Sequence, residues 1–118
     1  MDLLIERGDI VICAINEDYG KPRPAVVIQS DLFNPTHHSI TLCPMTTHLI
    51  DAPLFRISLI PKELTPKELT GIILASQIMI DKVTTIKSEK ITKKIGKISS
   101  EEMVKLNHAL KLWLSLHS

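Results

Sequence analysis

Ile10-Val11-Ile12-Cys13-Ala14-Ile15 is a run of six apolar residues, four of them β-branched, directly behind the Gly8-Asp9 pair. It is too short and too continuous to carry a helical period, so it predicts a first core strand buried on both faces. Ala25-Val26-Val27-Ile28-Gln29 resumes that character after residues 16–24, where acids, Gly20, Pro22 and Pro24 supply turn chemistry. Arg23 therefore falls where a loop enters a strand. A loop over 31–38 containing Asn34-Pro35-Thr36 precedes Ser39-Ile40-Thr41-Leu42-Cys43, whose alternation of polar and apolar residues predicts a half-buried strand with Thr46 and Thr47 just past its end. Phe55, Ile57 and Leu59 share one face of a fourth strand, and residues 72–80 read as a fifth, interrupted by Ser76 and Gln77.

The last third changes character. Residues 82–97 hold six lysines against one glutamate, a local excess of +5, interleaved with Ile86, Ile91 and Ile95. Behind Gly96, Ser99-Ser100-Glu101-Glu102 has the form of a capping box, and Met103, Leu106, Leu110, Trp113 and Leu114 then recur at helical spacing. Trp113 is expected as a core or interface anchor rather than a base-stacking platform, since aromatics make up only 3% of the chain. Pro61-Lys62-Glu63-Leu64-Thr65 and its copy at 66–70 form a surface spacer, with proline placed to open a short helical turn. Strands followed by a terminal helix predict a mainly β domain, a small antiparallel barrel or curled sheet with a C-terminal α-helix packed over one opening or edge.

Composition bounds the rest. At 118 residues with 44% apolar and 23% charged side chains, the chain is one domain, 1–118, able to bury roughly two-thirds of its unfolded surface without metal or disulfide staples. Fourteen basic and 13 acidic side chains leave a net charge of +1, so any nucleic-acid site must be local. Cys13 and Cys43, without a C-x-x-C spacing, are expected buried and reduced. The acidic start without an apolar stretch behind it, and the absence of long apolar runs, predict a soluble, cytoplasmic protein.

Chemical motifs are few. His37, His38, His48, His108 and His117 show no H-x-x-x-H or Cys/His pairing, no G-x-S-x-G elbow occurs, and the four glycines are scattered. No metal and no cofactor is expected. What remains is a constellation of Arg23, Thr46, Thr47, the acids Glu17 and Asp18, and His48.

Arg7-Gly8-Asp9-Ile10-Val11, Gly20-Lys21-Pro22-Arg23-Pro24-Ala25-Val26-Val27-Ile28, Pro44-Met45-Thr46-Thr47, Ala75-Ser76-Gln77 and the ending from Ile95 through Leu110 resemble, in order and over nearly the whole chain, the MazF/PemK (Kid-like) toxins of bacterial toxin–antitoxin systems. The resemblance implies an SH3-like antiparallel barrel of the CcdB/MazF type, a homodimer that cleaves single-stranded RNA without metal and is silenced by a cognate antitoxin whose tail occupies the RNA groove. Carried over by position, it makes Arg23 and Thr46 catalytic. In such a reaction the substrate's 2′-hydroxyl attacks the adjacent phosphorus, leaving a 2′,3′-cyclic phosphate and a 5′-hydroxyl, and DNA is spared.

Arginine is a poor base, so another group must move the proton. Asp18, at an acidic position of many relatives, and His48, sharing a strand face with Thr46 if the strand runs past Thr47, are the candidates. Kid-like relatives carry an aspartate and an arginine where this chain has Ser76 and Leu74, which removes a further candidate. RNA contacts are expected at Gly20, Lys21, Thr47, Gln77, Lys82 and Lys87, the lysines holding phosphates unless their stripe is simply a solvated face. Two rivals stay open: a CcdB-like toxin of the same fold that binds DNA gyrase without chemistry, and a barrel that has lost activity.

Overall fold

The computed structural model describes residues 4–15, 21–60 and 74–116. Seven strands and one long helix follow in order: β1 (Asp9–Ala14), β2 (Pro22–Val27), β3 (Ser39–Thr46), β4 (Arg56–Leu59), β5 (Ser76–Met79), β6 (Thr84–Lys87), β7 (Ile91–Lys97) and α1 (Ser100–Leu114). The Asp18 and Gly20 assignments and the tandem segment 61–70 lie outside the described residues.

All neighbouring strands run antiparallel, in the order β4-β5-β3-β2-β1-β7, with β6 also on β3. β3 organises this sheet. One edge pairs with β2, Ala25 to Pro44 through Val27 to Leu42. The other takes β6 along Ser39–Leu42 and β5 at Met45 and Thr46. Between β5 and β6 the 3-10 turn Ile80–Lys82 takes up a register slip, so one stretch of chain follows β3 in two offset pieces. β7 pairs with β1 through two register irregularities, each adding twist, and no ladder joins β6 to β7 among the described residues. The sheet is therefore curled rather than sealed.

Alternation along the strands makes two cores. Ile10, Val26, Cys43, Met45, Ile57 and Ile78 face α1, which adds Leu106, Ala109 and Leu110. Val11, Cys13, Ala25, Val27, Ile40, Leu42 and Ile91 line the opposite, concave face. Cys13 and Cys43 thus sit in different cores, both buried. Each fully buried Ile or Leu contributes about 1.5–3 kcal/mol against exposure.

Two of these strands, β6 and β7, are absent from the sequence expectation, which took their region as a basic stripe. In β7 only Ile91 is buried, and an edge strand that leaves its lysines in water hides its period. β3 also runs three residues past the predicted Cys43 to Thr46, and β2 begins at Pro22 rather than Ala25. α1 forms as the capping box dictates: the Ser99 hydroxyl accepts from the Glu102 N–H at 3.1 Å, and the Glu102 carboxylate accepts from the Ser99 N–H at 2.7 Å. Trp113, 48% exposed, packs against Phe55 with ring centroids 5.9 Å apart, so it anchors the end of α1 to the segment before β4.

The Arg7-Gly8-Asp9 turn fixes α1 to the sheet. Gly8 holds φ +94°, its N–H donates to the Val27 carbonyl at 2.8 Å, and its carbonyl accepts from the Ile98 N–H at 3.0 Å. Fully buried Asp9 accepts from the Glu6 N–H at 2.7 Å. The Arg7 guanidinium donates to the Ile28 carbonyl and to Asn107 Oδ1, both at 2.7 Å, and to the Met103 sulfur at 3.1 Å. One side chain thereby ties the end of β2 to the middle of the helix.

Two outcomes follow. A Cβ at Gly8 would sit 2.7 Å from Met103 Cε on a backbone L-residues avoid, so Gly8→Ala should cost about 1–2 kcal/mol in urea unfolding. Burial pushes the Cys43 thiol up from 9.0 to about 12, with Arg7 opposing and Asp81 reinforcing. The folded state keeps a proton that the unfolded chain gives up above pH 9.0, so this stabilisation falls as pH rises from there towards about 12. Comparing wild type with Cys43→Val by urea unfolding from about pH 8 to about pH 11, the wild type should lose stability faster by up to about 1.4 kcal/mol per pH unit.

Candidate active site

Prolines mark where the β2–β3 ladder stops. The Ile28 N–H donates to the Thr41 carbonyl, so by alternation Pro24 and Pro22 are the β2 positions whose missing N–H would face β3, and the pairing ends at Ala25 and Pro44. Both strands continue beyond that point with other partners. β2 stays on β1, pairing Arg23 with Cys13, while the tip of β3 joins β5, pairing Thr46 with Gln77. Carried two places past Ala25 and Pro44, the register sets Arg23 across from Thr46. By alternation both belong to the concave face, with Ala25, Val27 and Leu42. Arg23 is exposed and Thr46 half-buried. Continued along that register, a guanidinium and an alcohol 23 residues apart in the chain would fall at facing places on one surface.

The Thr46 hydroxyl is partly committed: its oxygen accepts from the His48 N–H at 3.0 Å, which leaves its own proton to donate. β3 ends there. Thr47 is a bend, so the extended path that would have put His48 on the Thr46 face is not taken, and both Thr47 and His48 are exposed. Among the described residues Lys21 is exposed at the start of β2, as is Lys82 on its 3-10 turn. Lys87 pairs with Ser39, at the far end of β3 from Thr46, roughly 23 Å along a strand rising about 3.3 Å per residue.

Gln77 is placed differently from an RNA contact. It is buried, its Oε1 accepts from the Ile50 N–H at 3.2 Å and from Arg56 Nη1 at 2.9 Å, and its Nε2 donates to the Ile50 carbonyl at 2.9 Å. Arg56 Nη1 also donates to the His48 carbonyl at 3.3 Å. Sequence reasoning missed Arg56 altogether. The one available signal was Gln77 itself, a polar residue inside an apolar strand that must find partners. Ser76, also buried, donates to the Leu74 carbonyl at 3.0 Å and brings no titrating group to the site.

The basic stripe divides in two. Lys94 lies 3.3 Å from Asp9, and Lys97 lies 3.1 Å from Glu6 and 3.9 Å from Asp9. The Glu6 hydrogen bond and charge raise the Lys97 pKa. These two lysines neutralise the turn at the start of β1. Lys82, Lys87, Lys90 and Lys93 are exposed and carry the charge facing solvent. Among the described residues no group of three or more His, Cys, Asp or Glu could hold a metal ion, and no helix is long and apolar enough to cross a membrane.

A curled antiparallel sheet with a terminal helix, whose polar groups gather at strand ends instead of in a metal cage, defines a small SH3-like β protein. The family model of the PemK-like, MazF-like toxin of type II toxin–antitoxin systems matches residues 6–114, and the chain belongs to that family. It is 42% identical over 113 residues to a probable endoribonuclease MazF of Mycolicibacterium smegmatis, covering 95% of this chain and 98% of that one. It is 30% identical over 124 residues to endoribonuclease MazF9 of Mycobacterium tuberculosis, covering 98% and 100%. Among solved structures, an endoribonuclease in complex with its cognate antitoxin from Mycobacterial species matches with a TM-score of 0.78 at 18% identity, over 98% of this chain and 99% of that chain, a likeness of fold.

Proposed function

We propose that this chain is an endoribonuclease toxin that cleaves single-stranded RNA, with Arg23 and Thr46 as its catalytic residues. What supports the reading is the β2–β3 register, which, continued two places beyond Ala25 and Pro44, sets Arg23 across from Thr46 with both on one face. The planar donor fork of Arg23 matches two phosphate oxygens, and the Thr46 proton, free to donate, adds a third donor to charge developing on phosphorus. Attack by the substrate's 2′-oxygen forms the 2′-O–P bond and breaks the bond to the 5′-oxygen, giving a 2′,3′-cyclic phosphate and a 5′-hydroxyl. The reaction calls on no protein nucleophile and no metal-bound water. Asp18 remains a candidate for taking the 2′-hydroxyl proton and returning one to the leaving oxygen, while His48 would have to act from beyond the bend at Thr47 instead of from the Thr46 face.

An open rim suits a polymer. Lys21, Thr47, Lys82 and Lys87, together with Gly20, would follow the strand's phosphates and bases to either side of the cut. The relative solved with its antitoxin supports a cognate antitoxin as the regulator. Exposed Leu49, Leu54, Val104, Leu112 and Leu116 give apolar surface for a second copy in a homodimer or for that antitoxin. Such a protein would work in the cytoplasm, where its RNA is.

Incubated with long single-stranded RNA in EDTA, the protein should release fragments ending in cyclic phosphate, and DNA of the same sequence should stay whole. Arg23→Ala and Thr46→Val should each slow cleavage by about 10²–10³-fold. No fragments from wild type, with growth arrest persisting in Arg23→Ala, would instead point to a gyrase-binding toxin. Titrating RNA affinity against salt, Lys82→Gln and Lys87→Gln should each flatten the log–log slope by about 0.7, while Lys97→Gln, its charge spent on Glu6, should leave it unchanged.

A further inference from the structure

Residues 47–55 run between β3 and β4 without regular structure apart from a turn at 53–55. A segment of that kind leaves Thr46, the last residue of its strand, with no ladder partner on the chain beyond it. Yet the first residues after Thr46 are held at defined points by two side chains from other strands. Gln77 on β5 binds Ile50 at both its N–H and its carbonyl, as a neighbouring strand's peptide group would. Arg56 at the start of β4 joins that amide oxygen to the carbonyl of His48. His48 in turn donates its N–H to the Thr46 hydroxyl oxygen. The backbone of His48 is thereby fixed at both ends, on Arg56 through oxygen and on Thr46 through nitrogen.

We propose that Arg56 and Gln77 are positioning residues for cleavage: they fix the backbone of 48–50 so that the His48 N–H occupies one lone pair of the Thr46 hydroxyl and aims its proton at the phosphate. The proposal rests on Thr46 acting in the reaction. It assigns Gln77 to support of the loop in place of contact with RNA, and it brings in Arg56, which no motif marks. The energetic reasoning is simple. Without the clamp, the His48 and Ile50 backbone groups turn to water, the Thr46 hydroxyl regains its rotamers, and a donor that must meet a developing charge is no longer set in place beforehand. Arg56 contributes because it bridges two acceptors with one nitrogen, and its Nε is buried without a hydrogen-bond partner, a cost borne in favour of that bridge.

The test is steady-state cleavage of single-stranded RNA by wild type, Arg56→Met, Arg56→Lys, Gln77→Met and Thr46→Val, with amide exchange at His48 and Ile50 as the second readout. Arg56→Met and Gln77→Met should lower kcat by about 10–100-fold with KM changed by less than about 3-fold, since ground-state contacts to RNA are untouched. Arg56→Lys, which keeps a donor within reach of one acceptor, should fall between Arg56→Met and wild type. Exchange at His48 and Ile50 should quicken in the methionine variants while that of β1 and β2 stays unchanged. In a Thr46→Val background Arg56→Met should cost less than about 2-fold, because a group acting through Thr46 has nothing left to position.

If the methionine variants cut with wild-type kcat, or their losses recur in full in the Thr46→Val background, the positioning role is overturned while Thr46 keeps its place. A wild type that does not cut, or a Thr46→Val that cuts like wild type, removes the underlying reading and this proposal with it. Should Arg56→Met fail to fold, Arg56→Lys and Gln77→Glu carry the same comparison.

Discussion

β3 alone among the described strands pairs with three others, β2 on one edge and β6 and β5 in turn on the other. A central strand must satisfy every N–H and C=O, and the way this one does so sets the molecule's shape. β2 serves one edge until prolines end the ladder. β6 and then β5 serve the other, offset by the turn at Ile80–Lys82. The sheet bends around that shared strand, one face turned to α1 and the other hollowed. At the strand's tip the β2 ladder has run out and β5 has taken over, which is where Thr46 stands.

The hollow side would lack support if the helix were loosely attached. Arg7 prevents this by satisfying the Ile28 carbonyl and the Asn107 side chain together, across about a hundred residues of chain. Gly8 allows the turn that aims it, and Asp9 caps the turn from inside with Lys94 and Lys97 balancing its buried charge. Three consecutive residues at the entry to the first strand thus act as a clasp. Part of the basic stripe is drawn into that clasp, so counting lysines overstates the positive charge left for a polyanion.

Much of the fold was legible in the sequence because burial imposes a period. β1, β2, β3 and β4 announce themselves through β-branched runs or alternation, and α1 through its cap and its 3-4 spacing. β7 did not, because an edge strand with one buried residue is mostly lysine and threonine to the reader. The site was legible only by likeness. Arg23 between prolines and Thr46 behind a strand are bland residues until the pairing of Ala25 with Pro44 supplies the register, and nothing local to either encodes that pairing. Arg56 lay further out of reach, since its partners are one backbone carbonyl, that of His48, and the side-chain amide of Gln77 on another strand.

A side-chain period of two also ties correctness of folding to the rim. Slide β2 against β3 by one place and the alternation inverts: Arg23 would sit beside a residue that belongs under the helix, and Val26 and Val27 would each be turned toward the other's core. A wrongly threaded copy therefore carries neither a sound core nor the facing pair. For a protein of a toxin family, quality control is built into the pleat.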